Sequence, residues 1–227
     1  MKPENYVGEA TLTVKPSAPV KPVKPMNAAN DGPVKTDRCN CWREFKALKV
    51  PYARTHDMET IYAFGGNHVC AISELFPDFD ADETDPENYE FATTDAILAQ
   101  WREAGTQIFF RLGEHSQDFA KQFVQRPKDN AKWARICERV IRHYNEGWAD
   151  GFRWDIDYWE VWNEPDNQFF EPDRSRDPLW SGTPEQYYDL YAVTARTLKE
   201  AFPALKVGGY GTSRLHEKYQ PFFRGFL

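Results

Sequence analysis

Tyr158-Trp159-Glu160-Val161-Trp162-Asn163-Glu164-Pro165-Asp166 carries the decisive pattern in this chain. Its first five residues are dense in aromatic and β-branched side chains, the composition of a buried strand. Asn163 and Glu164 follow at the strand's end, and Pro165, with no N–H for a sheet ladder, stops it. A carboxyl held at the mouth of a strand beside an amide and large indoles suits proton transfer to a sugar. The carboxyl supplies the proton, the amide hydrogen-bonds hydroxyls, and the indole faces cover the apolar side of a pyranose ring. Glu164 is therefore the candidate general acid/base. Strict alternation puts Tyr158, Glu160, Trp162 and Glu164 on one face and Asn163 on the other. Both reach one ligand only if the strand twists or bulges at its end. Glu160, two steps inside, reads as a core glutamate paired with an arginine.

On either side of this strand the pattern alternates between helix and strand. Upstream, Trp133, Ile136, Cys137, Val140, Ile141 and Tyr144 recur at i, i+3, i+4, i+7, i+8 and i+11, an amphipathic helix ending at Glu146-Gly147. Before it, Ile97, Leu98, Trp101 and Ala104 predict a helix stopped by Gly105, and residues 107–112 a strand. Earlier still, Cys41, Phe45 and Leu48 fall at helical spacing, Val50 to Arg54 read as a strand, and a long polar loop runs to about Phe91. Downstream, Thr183-Pro184-Glu185-Gln186 is a capping box with proline at the first helical position. Its expected buried stripe is Tyr187, Tyr191, Thr194, Leu198 and Phe202. Residues 205–209 give one more strand, and the last residues begin a helix at most. Val23 to Ala29 is a weak first strand, ended by Asp31-Gly32-Pro33.

Strands alternating with helices of this length mean βαβ units and a parallel sheet. Polar residues cluster after strands: Arg54-Thr55-His56-Asp57, Gly113-Glu114-His115 and Asn163-Glu164. Loops after the strands build the site in a (β/α)8 barrel. A doubly wound sheet would carry a Gly-x-Gly-x-x-Gly turn after a strand, and none occurs. The expected fold is α/β: a partial (β/α)8 TIM barrel of about the first five βα units. An N-terminal Pro/Lys-rich extended segment, residues 1–19, precedes a barrel domain, residues 20–227. Lys-Pro pairs at 15–16, 21–22 and 24–25 disfavour helix there. Such a stretch is either a lead-in to the first strand or a ligand for a proline-recognition module.

Composition narrows the partners. The chain has 8 Trp, 11 Tyr and 16 Phe, which fits either a carbohydrate site or an aromatic-packed core. A formal charge of -7 argues against a nucleic-acid partner, which needs a basic face. No run of eighteen apolar residues and no N-terminal apolar signal occur, so the expectation is a cytoplasmic protein with no membrane partner. Cys39, Cys41, Cys70 and Cys137 lack zinc or redox spacing and read as reduced packing residues. His56, Asp57 and His115 have no His-x-His or His-Glu-x-x-His anchor, so no metal site is expected. Asp57, Glu114 and His115 read as residues of solvated loops.

Trp162-Asn163-Glu164-Pro165-Asp166 resembles the acid/base segment of the clan A retaining glycoside hydrolases, in which Asn-Glu closes the fourth barrel strand. Arg54-Thr55-His56-Asp57, together with Phe202-Pro203-x-Leu205-x-Val207-Gly208-Gly209, narrows the resemblance to glycoside hydrolase family 39, which holds β-xylosidases and α-L-iduronidases. The resemblance implies a glycosidase acting on a carbohydrate substrate by a retaining, two-carboxylate mechanism without cofactor or metal. It implies that Glu164 is the acid/base and that Asn163 holds the hydroxyl next to the anomeric carbon. It further implies that Arg54 and His56 line the subsite for the reacting sugar, with Arg54 near the nucleophile. The blander readings are a barrel ion pair for Arg54 and a capped loop histidine for His56. In the family the nucleophilic glutamate closes strand seven, whereas here the last acidic residue after Glu200 is Glu217. The expectation is the N-terminal part of a larger enzyme, inactive by itself and completed by the C-terminal half of the barrel or by self-association. The alternative is an inactive fragment or a carbohydrate-binding or interaction module.

Overall fold

The computed structural model describes residues 11, 13, 26–33, 35, 40–56, 69–114, 126–167, 179–214 and 216–227. The Lys/Pro-rich pairs, Val23, Asp57 and His115 lie outside them. Five strands, β1 (Ala29–Asn30), β2 (Tyr52–Arg54), β3 (Gln107–Leu112), β4 (Tyr158–Val161) and β5 (Lys206–Gly208), form one sheet. All four neighbouring pairs are parallel, and the spatial order equals the sequence order. A doubly wound sheet reverses its order at a switch point; a barrel does not. This sheet never reverses.

Helices occupy the connections: α1 (Trp42–Leu48), α2 (Ile72–Leu75), α3 (Ala92–Glu103), α4 (Asn130–Asn145), α5 (Pro184–Ala201) and α6 (Gln220–Phe226). One face of the sheet is apolar. Ala53, Ile108, Phe110, Leu112, Trp159 and Val161 are all fully buried or nearly so, in one cluster with residues of α3, α4 and α5. The other face carries Tyr52, Arg54, Phe109, Arg111, Tyr158 and Glu160, as the period of two requires. On that face the rings of Tyr52 and Tyr158 meet at 5.4 Å although β3 lies between their strands. Side chains two strands apart come that close when the sheet curls around them. The chain thus folds as five consecutive βα units of a (β/α)8 barrel, with the chemistry-bearing face turned inward.

The strongest periodic signals match. Every stripe residue expected on α4 is buried, and Asp129 caps the helix by accepting from the amides of Ala131 and Lys132. α5 starts at Pro184 with both halves of the capping box formed. Gly105 follows α3 with φ of +85°, a left-handed turn that ends the helix at little steric cost. On α5 the stripe is Tyr187, Leu190, Thr194 and Leu198, while Tyr191 and Phe202 are only half-buried.

Three expectations fail. α1 buries none of its residues: Leu48 is 68 % exposed, and Cys41 lies on the surface rather than in the core. Seven residues make too short a helix for its spacing to dictate a buried face. The stretch taken as a polar loop contains α2, whose Ile72 and Leu75 are buried together with Val69, Cys70 and Phe76. Its four residues are below the length at which periodicity registers. Glu114, expected in a solvated loop, is buried.

Candidate active site

The geometric question posed by Asn163 and Glu164 is answered at Trp162. β4 ends at Val161, and Trp162 adopts φ of 71°, a conformation uncommon for a bulky residue. Its amide still reaches Leu112 O at 2.6 Å, so β3 holds the residue while its backbone breaks the alternation. The indole is fully buried, donates to Leu179 O at 2.5 Å and meets Trp180 edge-on at 5.0 Å. Packing on all sides offsets a strain of roughly 1–3 kcal/mol for such backbone. Glu164 is left-handed as well, with φ of 43°. The strand end therefore turns twice, and Asn163 swings to the face that strict alternation denies it.

Asn163 is 5 % exposed, and its Oδ1 accepts from Arg54 Nη2 at 2.8 Å. Arg54 also binds Glu160, with Nε and Nη2 both 2.6 Å from Oε2. The core glutamate expected at 160 has its arginine. Because a guanidinium only donates, it fixes which end of the Asn163 amide is oxygen. The Nδ2 donors are the part left for a hydroxyl. Arg54 and Asn163, from β2 and β4, are thus brought together by direct contact.

Glu164 is half-buried on the same rim, its amide donating to Gly211 O at 3.0 Å and its carbonyl accepting from Asn167 N at 3.0 Å. A Cβ at Gly211 would lie 3.3 Å from Glu160 Oε1 and 3.5 Å from Arg54 Nη2. That loop passes directly over the ion pair, and glycine lets it do so. His56 stands after β2 and is tied through its backbone: its amide donates to Asp31 Oδ1 at 3.2 Å, and its carbonyl accepts from Arg111 Nη2 at 2.9 Å. These two backbone bonds fix His56 on the rim after β2.

Several residues that the sequence reading did not assign to the site hold it. Arg111, 1 % exposed, donates to the carbonyls of Thr55, His56 and Glu114, joining the loops after β2 and β3. Glu114 accepts from Ser73 N at 3.1 Å and Ser73 Oγ at 2.5 Å. Burial pushes its carboxyl up to about 8, against the lowering effect of the Ser73 bonds and of Arg111. Asp166, fully buried, accepts from Thr212 Oγ1 at 2.6 Å and Ser213 N at 3.1 Å. Arginine in the middle of an apolar strand and Gly-Thr-Ser after β5 were the signals available for two of these. No group of three or more His, Cys, Asp or Glu side chains suited to a metal ion occurs among the described residues, and no described helix is long and apolar enough to cross a membrane.

What this rim offers is a half-buried carboxyl, an oriented amide and a fixed guanidinium at the C-terminal ends of the parallel strands β2 and β4. Two β-xylosidases are similar to part of this chain in sequence. A β-xylosidase of Caldicellulosiruptor saccharolyticus is 28% identical over 137 residues, covering 56% of this chain and 26% of that protein. One of Geobacillus stearothermophilus is 34% identical over 132 residues, covering 53% of this chain and 24% of that protein. The chain thus spans about a quarter of the length of these relatives. A glucosidase from Croceicoccus marinus superposes with a TM-score of 0.66 at 30% identity, over 88% of this chain and 40% of that one. A family 51 α-L-arabinofuranosidase from Bifidobacterium longum shares the fold alone, with a TM-score of 0.52, 16% identity, and coverage of 85% and 36%. The sequence model of glycosyl hydrolases family 39 matches residues 37–226, and the chain belongs to that family.

Proposed function

We propose that residues 20–227 form the part of a retaining glycosidase barrel that carries the acid/base, and that Glu164 is that group. The observation that supports this reading is the double turn at Trp162 and Glu164, which sets Asn163 on Arg54 at the strand end where Glu164 also stands. Glu164 protonates the departing glycosidic oxygen, a second carboxylate attacks the anomeric carbon, and Glu164 then takes a proton from the hydrolytic water. The two carboxyls must stand about 5–5.5 Å apart for that chemistry. Asn163 Nδ2 donates to the hydroxyl next to the anomeric carbon, and Arg54 and His56 line the subsite. The names of the related β-xylosidases support a xyloside as substrate.

The nucleophile in this reading comes from a strand beyond β5. Glu160 lies two residues inside the strand end, with its Oε2 on the Arg54 guanidinium, and serves in this reading as the ion-pair partner of Arg54. The half-buried rings of Tyr52, Phe109 and Tyr158 face the space that further barrel strands, or a second copy, would close. That engagement of Glu160 favours one second reading: a sugar-binding module that keeps the rim without turnover.

Calorimetric titration with xylose oligomers and hydrolysis of an aryl β-xyloside separate the two when the chain is tested together with the barrel strands that would supply the nucleophile. In the hydrolase, Glu164→Gln lowers turnover by about 10²–10⁴-fold while sugar binding persists. Binding without turnover, unaltered by Glu164→Gln, supports the module. Turnover by Glu164→Gln at the wild-type rate refutes the role given to Glu164.

A further inference from the structure

We infer that Asp166 is a positioning residue for Glu164, acting through the loop after β5. The inference rests on the acid/base reading of Glu164. Asp166 is fully buried two residues beyond it, yet its carboxylate points to another loop. One oxygen takes the Thr212 hydroxyl at 2.6 Å, and both are within reach of the Ser213 amide, at 3.1 and 3.3 Å. The residue just before these two, Gly211, returns a bond through its carbonyl to the Glu164 amide at 3.0 Å.

The result is a closed ring of contacts: Glu164 to Gly211, Gly211 along the chain to Thr212 and Ser213, and both back to Asp166. A ring of this kind fixes two loops against each other, because neither can shift without breaking a part-buried bond. Glu164 needs such a hold. Its φ of 43° is strained for a residue with a side chain, and Pro165 behind it has no N–H with which to hold it. The carboxyl's direction is set by that backbone. A buried hydrogen-bonding side chain two positions along the chain therefore aims the proton donor without touching the sugar.

The test is amide hydrogen exchange at single-residue resolution on the whole chain. Asp166→Ala should speed exchange of the Glu164 amide by about tenfold or more, while Val140 and Ile141 in α4 keep their wild-type rates. Asp166→Asn should restore most of the protection. Its Oδ1 still accepts from Ser213, and its NH₂ can donate to Thr212 Oγ1, whose own proton has Arg214 O at 3.1 Å. Rescue by asparagine marks positioning, since it keeps the geometry and removes the charge. Exchange at Glu164 that stays within about twofold of wild type in Asp166→Ala overturns the inference. Equal acceleration in Ala and Asn variants together with α4 overturns it too, as a general packing role. Should Asp166→Ala not fold, Thr212→Val removes one anchor by itself, and an unchanged Glu164 amide there is equally fatal. These readouts need no turnover, so failure of the acid/base assignment, read from Glu164→Gln, remains separately visible.

Discussion

The Arg54–Glu160 pair offers the sharpest test of how the inward face is held. Glu160's side chain is 8% exposed and Arg54's 19%, and their closest atoms are 2.6 Å apart. At an effective dielectric near 20 their attraction amounts to about 6 kcal/mol. Desolvation costs several kcal/mol for each ion, so the pair as a whole contributes little net stability. Breaking it is another matter. Arg54→Met leaves Glu160 buried without its counter-charge and Asn163 Oδ1 without its donor, at a cost of about 3–5 kcal/mol. Glu160→Met strands the guanidinium with Asn163 as its remaining partner there, at a cost of about 2–4 kcal/mol. The double variant removes both charges and keeps the volume, and should cost less than either single change.

Urea denaturation of the four proteins at constant slope gives the cycle directly, and a double variant that costs less than either single change requires a coupling of at least about 3–5 kcal/mol. Additivity within about 0.5 kcal/mol would refute the argument, because it would mean that neither charge depends on the other. A functional arm accompanies the stability arm. The double variant folds, but its Asn163 amide has lost the donor that decides its orientation. Calorimetry with xylose oligomers should therefore show weaker binding even where stability is restored.

Glu114 predicts a pH dependence. Its folded-state value is pushed above the ordinary 4.5 to about 8 by burial. The folded protein thus binds a proton that the unfolded chain releases between those values. Stability from this group is complete below about pH 4.5, declines as pH rises and is lost above about pH 8, a change on the order of 5 kcal/mol. Glu114→Gln should flatten that part of the curve, read as urea midpoints at pH 5 and pH 8.5; parallel curves for the two proteins would overturn the assignment. At the start of α5, the Thr183 amide donates to Gln186 Oε1 at 2.9 Å, and the Gln186 amide to Thr183 Oγ1 at 3.3 Å. Thr183→Ala should lower stability by about 1 kcal/mol in the same denaturation experiment, with no loss of sugar binding.

The layout of the fold was legible wherever a signal spanned several turns or alternated cleanly. α4 shows a stripe over sixteen residues, and α5 announces its own first turn through a local pairing of Thr183 with Gln186. Short elements escaped for the same physical reason. α2 offers four residues, so Ile72 and Leu75 are indistinguishable from apolar residues of a loop until Cys70 and Phe76 are seen packed around them. Glu114 escaped differently. A glutamate after a strand is usually solvated, and what buries this one is Ser73, forty-one residues earlier in the chain. Contacts across such separations leave no periodic trace.

At the rim the legible and the hidden are coupled. The alternation rule, applied to 158–164, assigns Asn163 to the wrong face, and that conflict was itself readable before any geometry was known. A residue pair that chemistry wants together and pleating holds apart demands a break in the backbone between them, and the break costs strain. The fold meets that cost with the largest side chain available: Trp162 is fully buried against Trp180, with Trp133 6.0 Å away, and hydrogen-bonded through its indole. The fully buried Trp159, Trp162 and Trp180 around β4 are thereby explained as scaffold rather than as sugar platform. The indole beside Asn163 is fully buried and clamps the turn that presents the amide. Aromatic content near a catalytic carboxyl is thus weak evidence for stacking on a sugar until the backbone angle of each ring's own residue is known.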